Sequence, residues 1–74
     1  MKRVYTISAT VGERPAMYIG FAVAETLQAA RRAACAMLYK QPVQPDNIQF
    51  TSVGRLPDTA PDICNIYVVG VDVE

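Results

Sequence analysis

The chain contains no histidine. That removes the side chain that ordinarily titrates near neutral pH, and with it His-containing triads and metal clusters. Cysteine is scarce: Cys35 and Cys64 stand far apart with no zinc-type spacing around either, so no metal site is expected. No uninterrupted apolar run approaches the roughly 20 residues that span a bilayer. After Met1-Lys2-Arg3 comes the alternating Val4-Tyr5-Thr6-Ile7-Ser8 of a strand, not the continuous apolar segment of a secretory signal. These absences predict a cytoplasmic protein with free thiols and no membrane association. A glycine-rich phosphate loop is also missing, because Gly12 is followed by Glu13 and precedes a strand, not a helix. No cofactor, and no enzyme activity, is predicted.

Net charge is absent too: seven basic and seven acidic residues cancel, leaving little long-range attraction to nucleic acid or anionic lipid. The two halves differ, however. Residues 1–40 carry Lys2, Arg3, Arg14, Arg31, Arg32 and Lys40 against Glu13 and Glu25, whereas residues 41–74 carry Arg55 against Asp46, Asp58, Asp62, Asp72 and Glu74.

What is present is apolar character in a small frame. With 74 residues, 51% of them apolar and 19% charged, the chain is a single compact domain, 1–74, on the folded side of the composition boundary. A chain this short buries only about 60% of its unfolded surface and needs an efficient core.

The pattern predicts an α+β fold of the ββαββ type, a four-stranded mainly antiparallel sheet with one helix packed on one face. A first strand is expected over 3–11, rich in β-branched and aromatic residues. A turn over 12–16 leads to a second strand over 17–24, in which Met17, Ile19, Phe21 and Val23 share one face, read as core, and Tyr18, Gly20, Ala22 and Ala24 share the other. The helix is expected over 27–40, with Thr26 as N-cap. Leu27, Ala30, Ala34, Met37 and Leu38 fall on one stripe, and Gln28, Arg32, Cys35 and Tyr39 point outward. Pro42 and Pro45 end it. A third strand over 47–53, a long loop over 54–62 with two prolines, and a last strand over 63–73 complete the order.

The last strand is apolar on both sides, with Tyr67, Val69, Val71 and Val73 opposite Cys64, Ile66 and Val68. Such strands are normally buried on both faces. One helix covers one face, so the other is expected to meet a second copy of the chain or a different protein. Cys64, Ile66 and Val68 are the candidate dimer face. Arg31, Arg32 and Tyr39 on the helix, and Arg55, Leu56 and Asp58 at the start of the proline-bearing loop, are the candidate partner-binding residues. The alternative is a nucleic-acid-associated accessory protein, in which Arg31, Arg32, Lys40, Lys2, Arg3 and Arg14 meet phosphates and Tyr5, Tyr18 and Tyr67 offer a stacking platform.

The segment Thr26-Leu27-Gln28-Ala29-Ala30-Arg31-Arg32-Ala33-Ala34, an alanine-rich helix after an N-terminal strand region and before further strands, resembles small phage or mobile-element proteins that inhibit host defence, including anti-CRISPR proteins. The resemblance implies a non-catalytic inhibitor that occupies a surface of a large nucleoprotein complex. It transfers no particular functional residue, and this sequence has no acidic run of the kind nucleic-acid mimics carry.

Overall fold

A computed structural model describes residues 1–12 and 16–69. The elements are β1 (Lys2–Thr10), β2 (Ala16–Ala24), α1 (Leu27–Leu38), β3 (Asn47–Leu56) and β4 (Ile63–Val68). The four strands form one antiparallel sheet in the order β3-β1-β2-β4. The ββαββ order and the α+β class are those expected. The expected final strand is shorter, ending at Val68, and its outer part beyond residue 69 lies outside the described residues, as does most of the first turn. Strand β3 is longer than expected: it continues through Val53 and Gly54 to Leu56, because a bulge between Val4 and Tyr5 on the partner strand lets the ladder absorb one extra residue and resume.

Helix α1 begins where Thr26 supplies its cap. The Thr26 backbone is extended, and its Oγ1 accepts a hydrogen bond from the Ala29 amide at 3.1 Å, satisfying one of the donors that a helix start leaves open. The helix stops two residues earlier than expected. Lys40 and Gln41 donate to the Met37 and Leu38 carbonyls, the tighter spacing that closes a last turn, and the Gln44 side chain donates to the Tyr39 carbonyl at 3.2 Å.

The helix lies over β2 and β4 and touches β1 lightly. Beneath it sit Ala22 and Ala24, in one cluster with Ala30, Ala34, Tyr5 and Ile7; Ala9, Tyr18 and Leu38 form the adjoining cluster. Ala30, Ala34 and Leu38 are fully buried, whereas Leu27, the first residue of the expected stripe, is exposed and Met37 is half-buried. Burial of Leu38 contributes roughly 2 kcal/mol.

The expected core face of β2 is therefore reversed. Ile19 and Phe21 face away from the helix and are 44% and 36% exposed, while Tyr18 and Ala22 are 2% and 1% exposed. Alternation carries the reversal through the strand: with Ala22 and Ala24 packed against Ala30 and Ala34 and Tyr18 against Leu38, Ile19 and Phe21 fall on the other side. Tyr18 fits because its ring is buried while its hydroxyl donates to the Val43 carbonyl at the rim. Val23, on the same strand face as Ile19 and Phe21 by alternation, is nonetheless buried.

Two glycines meet specific demands. Gly12 has φ +60°, and its amide donates to Asp46 Oδ2 at 2.7 Å. Gly20 pairs with Ile66, and a Cβ there would lie 2.0 Å from the Asn65 carbonyl oxygen, so β4 can approach β2 only because position 20 has no side chain.

Gly20→Ala is expected to displace β4 and destabilise the domain by about 3 kcal/mol, at the upper end of overpacking costs, measured by urea unfolding. Thr26→Ala should cost about 1 kcal/mol by the same measurement, with the folded helical signal retained in circular dichroism.

Candidate functional site

The register of the sheet builds the surface opposite the helix in three rows. Gln49, Ser8, Ile19 and Tyr67 form one row; Thr51, Thr6, Phe21 and Asn65 form the next; Gly54, Val4, Val23 and Ile63 form the third. No formal charge stands in any of the three. The β2–β4 half is apolar and the β1–β3 half carries hydroxyls and an amide. Ile19, Phe21, Ile63 and Tyr67 are exposed, and the centre of the face is a shallow depression of about 380 Å³ lined by Thr6, Ser8, Ile19, Phe21, Thr51 and Tyr67.

The candidate dimer residues do not form this surface. Cys64 and Ile66 point to the helix side and pack against the core, because β4 pairs with β2 in the register that sets Cys64 beside Ala22. Val68, opposite Tyr18 in the ladder, stays 49% exposed. The same one-residue parity that reverses β2 reverses β4. Tyr67 and Asn65, not Cys64 and Ile66, face the uncovered side.

The candidate partner-binding residues separate into two groups. Arg31 lies over the Phe50 ring, 5.5 Å from its centroid, a cation–π contact at a partly exposed site. Arg31, Cys35 and Tyr39 line a groove of about 310 Å³ between α1 and β3, with Asp46, Ile48 and Phe50 on the other wall. Arg32 is exposed on the helix outside this groove. At the far end of the sheet, Arg55 stands directly opposite Arg3, and Leu56 opposite Lys2. Asp58 belongs to the segment that crosses from β3 to β4. The amino-terminal ammonium lies 2.7 Å from its carboxylate, and that hydrogen bond, reinforced by charge attraction, holds the Asp58 carboxyl below its ordinary range. Lys2, largely buried along its stem, donates to Asp62 at 2.6 Å. The six residues thus make no single site.

Two of the three tyrosines of the candidate stacking platform are also accounted for. Tyr5 and Tyr18 are 5% and 2% exposed beneath the helix, where no base can stack on them; Tyr67 alone lies open.

Among the described residues, no group of three His, Cys, Asp or Glu side chains converges as a metal site would require, and every buried side-chain nitrogen or oxygen has a hydrogen-bond partner. No helix among them is long and apolar enough to cross a membrane. Cys35 and Cys64 are free thiols. No family model, no curated protein and no solved structure matches the chain.

The uncovered face was half legible. Alternation correctly groups Ile19 with Phe21; the signal that assigns the helix to the other side is the coincidence of alanines at 22, 24, 30 and 34.

Desolvation raises the Cys64 thiol above its ordinary pKa. The neutral thiol is the form favoured in the folded state, so its stabilising contribution is intact below the ordinary thiol range and lost as pH rises through the raised folded value. Iodoacetamide at pH 8 is expected to alkylate Cys64 several-fold more slowly in the folded protein than in urea, followed by mass spectrometry of the peptide containing residue 64.

Proposed function

We propose that this chain is a non-catalytic protein-binding domain whose contact surface is the uncovered face of its sheet. The observation that supports the reading is the chemistry of that face: exposed Ile19, Phe21 and Tyr67 stand together, flanked by Thr6, Ser8, Thr51 and Gln49, with no charge among them. Exposed large apolar residues scattered singly are ordinary; a contiguous group with an uncharged polar border is how protein contact surfaces are built. Aromatic anchors set on a rigid sheet lose little conformational freedom when covered.

In the form that the sequence resemblance suggests, the domain regulates or inhibits a larger nucleoprotein assembly. The basic and acidic groups at the sheet ends and along α1 then remain at the rim, where they set orientation and encounter rate more than affinity. Direct nucleic-acid binding gains no support from the face itself, whose three rows carry no basic residue and whose Lys2 at the end is paired with Asp62.

A photo-reactive amino acid at position 67, introduced into the full chain and activated in the cell that produces it, tests this reading. Covalent adducts with polypeptide, lost when Phe21 is also changed to Asp and retained when Arg32 is changed to Ala, are the expected result. Adducts with nucleic acid alone, or none, would overturn it.

A further inference from the structure

We propose that the occupant of the uncovered face is a second copy of this chain, seated face to face about a two-fold axis that crosses the strands at the level of Gly20. The proposal rests on the reading of that face as a protein contact and adds its partner and its geometry.

Charge selects the partner. A surface that brought ionised groups against this face would strand them in a drying contact with nothing to pair them. The chain's other exposed surfaces carry such groups: Arg31, Arg32 and Lys40 on the helix side, Asp58 and Asp62 on the crossing segment. Of the described surfaces of this molecule, only the three central rows of the same face are uncharged, the one cation at their end, Lys2, being paired with Asp62, so the contact is between like faces and closes at two copies instead of growing into a filament.

Size is consistent with this assembly. Four strands about 4.8 Å apart, each contributing a handful of residues, make a face roughly 20 Å on a side. Two of them bury on the order of 1,000 Å² in total, at the lower bound of specific contacts. The dimer is therefore expected to dissociate on dilution.

The rows fix the axis. Across the strands at Gly20, the two-fold turns the row Ser8–Ile19–Tyr67 onto the row Thr6–Phe21–Asn65 of the second copy. Ile19 then meets Phe21, Tyr67 meets Asn65 with a phenol and an amide able to bond, and Ser8 meets Thr6. An axis along the strands would lay the apolar β2–β4 half over the hydroxyl-bearing β1–β3 half, leaving apolar groups against polar ones. Packed sheets lie about 10 Å apart, a gap these side chains fill.

Light scattering over a concentration series is the first arm. The mass should rise toward twice the 8.1 kDa of one chain, and Thr51→Lys, an exposed site remote from the helix-side core, should shift the midpoint at least tenfold to higher concentration; Ile19→Lys should do the same. A mass of one chain at every concentration overturns the proposal while leaving the protein-contact reading to its own cross-linking test. The second arm reads the axis. In a Cys35→Ser, Cys64→Ala background whose folding is checked by circular dichroism, Thr51→Cys treated with a short bis-maleimide should cross-link to itself, since β3 faces β3. Cross-linking only when Thr51→Cys and Asn65→Cys chains are mixed would overturn the stated axis, because β3 would then face β4. If the double cysteine replacement fails to fold, Thr51→Cys is cross-linked in the native background and the bridged peptides are identified by mass spectrometry, with the same two outcomes.

Discussion

Ala22 and Ala24 on the sheet meet Ala30 and Ala34 on the helix, and the distance this permits governs how the other side chains are distributed. Small side chains on both surfaces let α1 sit close over this strip of β2, while Tyr5, Ile7, Tyr18 and, from β4, Ile66 fill the space beside it. Ile19 and Phe21, out of phase by one residue with Tyr18, Gly20 and Ala22, are turned to the opposite side. The same constraint operates between strands at Gly20, where the Asn65 carbonyl occupies the place a Cβ would take. Tyr18 and Leu38 are the largest side chains fully enclosed. A domain of this length gains modest stability from such a core, and Ile19, Phe21 and Tyr67 are left exposed on the other face.

The order of elements was legible because each is announced locally. Thr26 before an apolar stripe marks the helix start, the prolines at 42 and 45 mark its end, and β-branched alternation marks the strands. The covered face was not legible by the same means. Ranking residues by hydrophobicity puts Ile19 and Phe21 inside and Ala22 and Ala24 outside, whereas the helix packs its own alanines on Ala22 and Ala24 and so takes Tyr18 inside with them. Once the parity of β2 is fixed, pairing carries it to β4, which is why Cys64 and Ile66 changed sides together with Tyr18. The grouping of Arg31 and Tyr39 into one groove and of Arg55, Leu56 and Asp58 at the far end depends on helix and strand placement that no local pattern encodes.

The unequal charge of the two halves of the sequence also finds its place. The central strands come from the first half and the outer strands from the second, so the halves are interleaved across the sheet instead of divided between its ends. The contacts between them are partly ionic: Lys2 with Asp62, and the amino terminus with Asp58. The Gly12 amide on Asp46 ties the first turn to the segment before β3 in the same way. Exposed pairs of this kind contribute little individually, but each joins an early residue to a late one and helps define where the outer strands begin and end.

That interleaving has a consequence for how the chain is made. The middle strands are synthesised first, and both of their outer edges remain without partners until β3 and then β4 emerge from the ribosome. A hairpin with two unpaired edges and the apolar side chains of Ile19 and Phe21 is the species most prone to associate wrongly. Because β3 and β4 close opposite sides, neither alone protects it, and the six residues of β4, which emerge after β3, carry a disproportionate share of the responsibility for keeping the nascent protein out of aggregates.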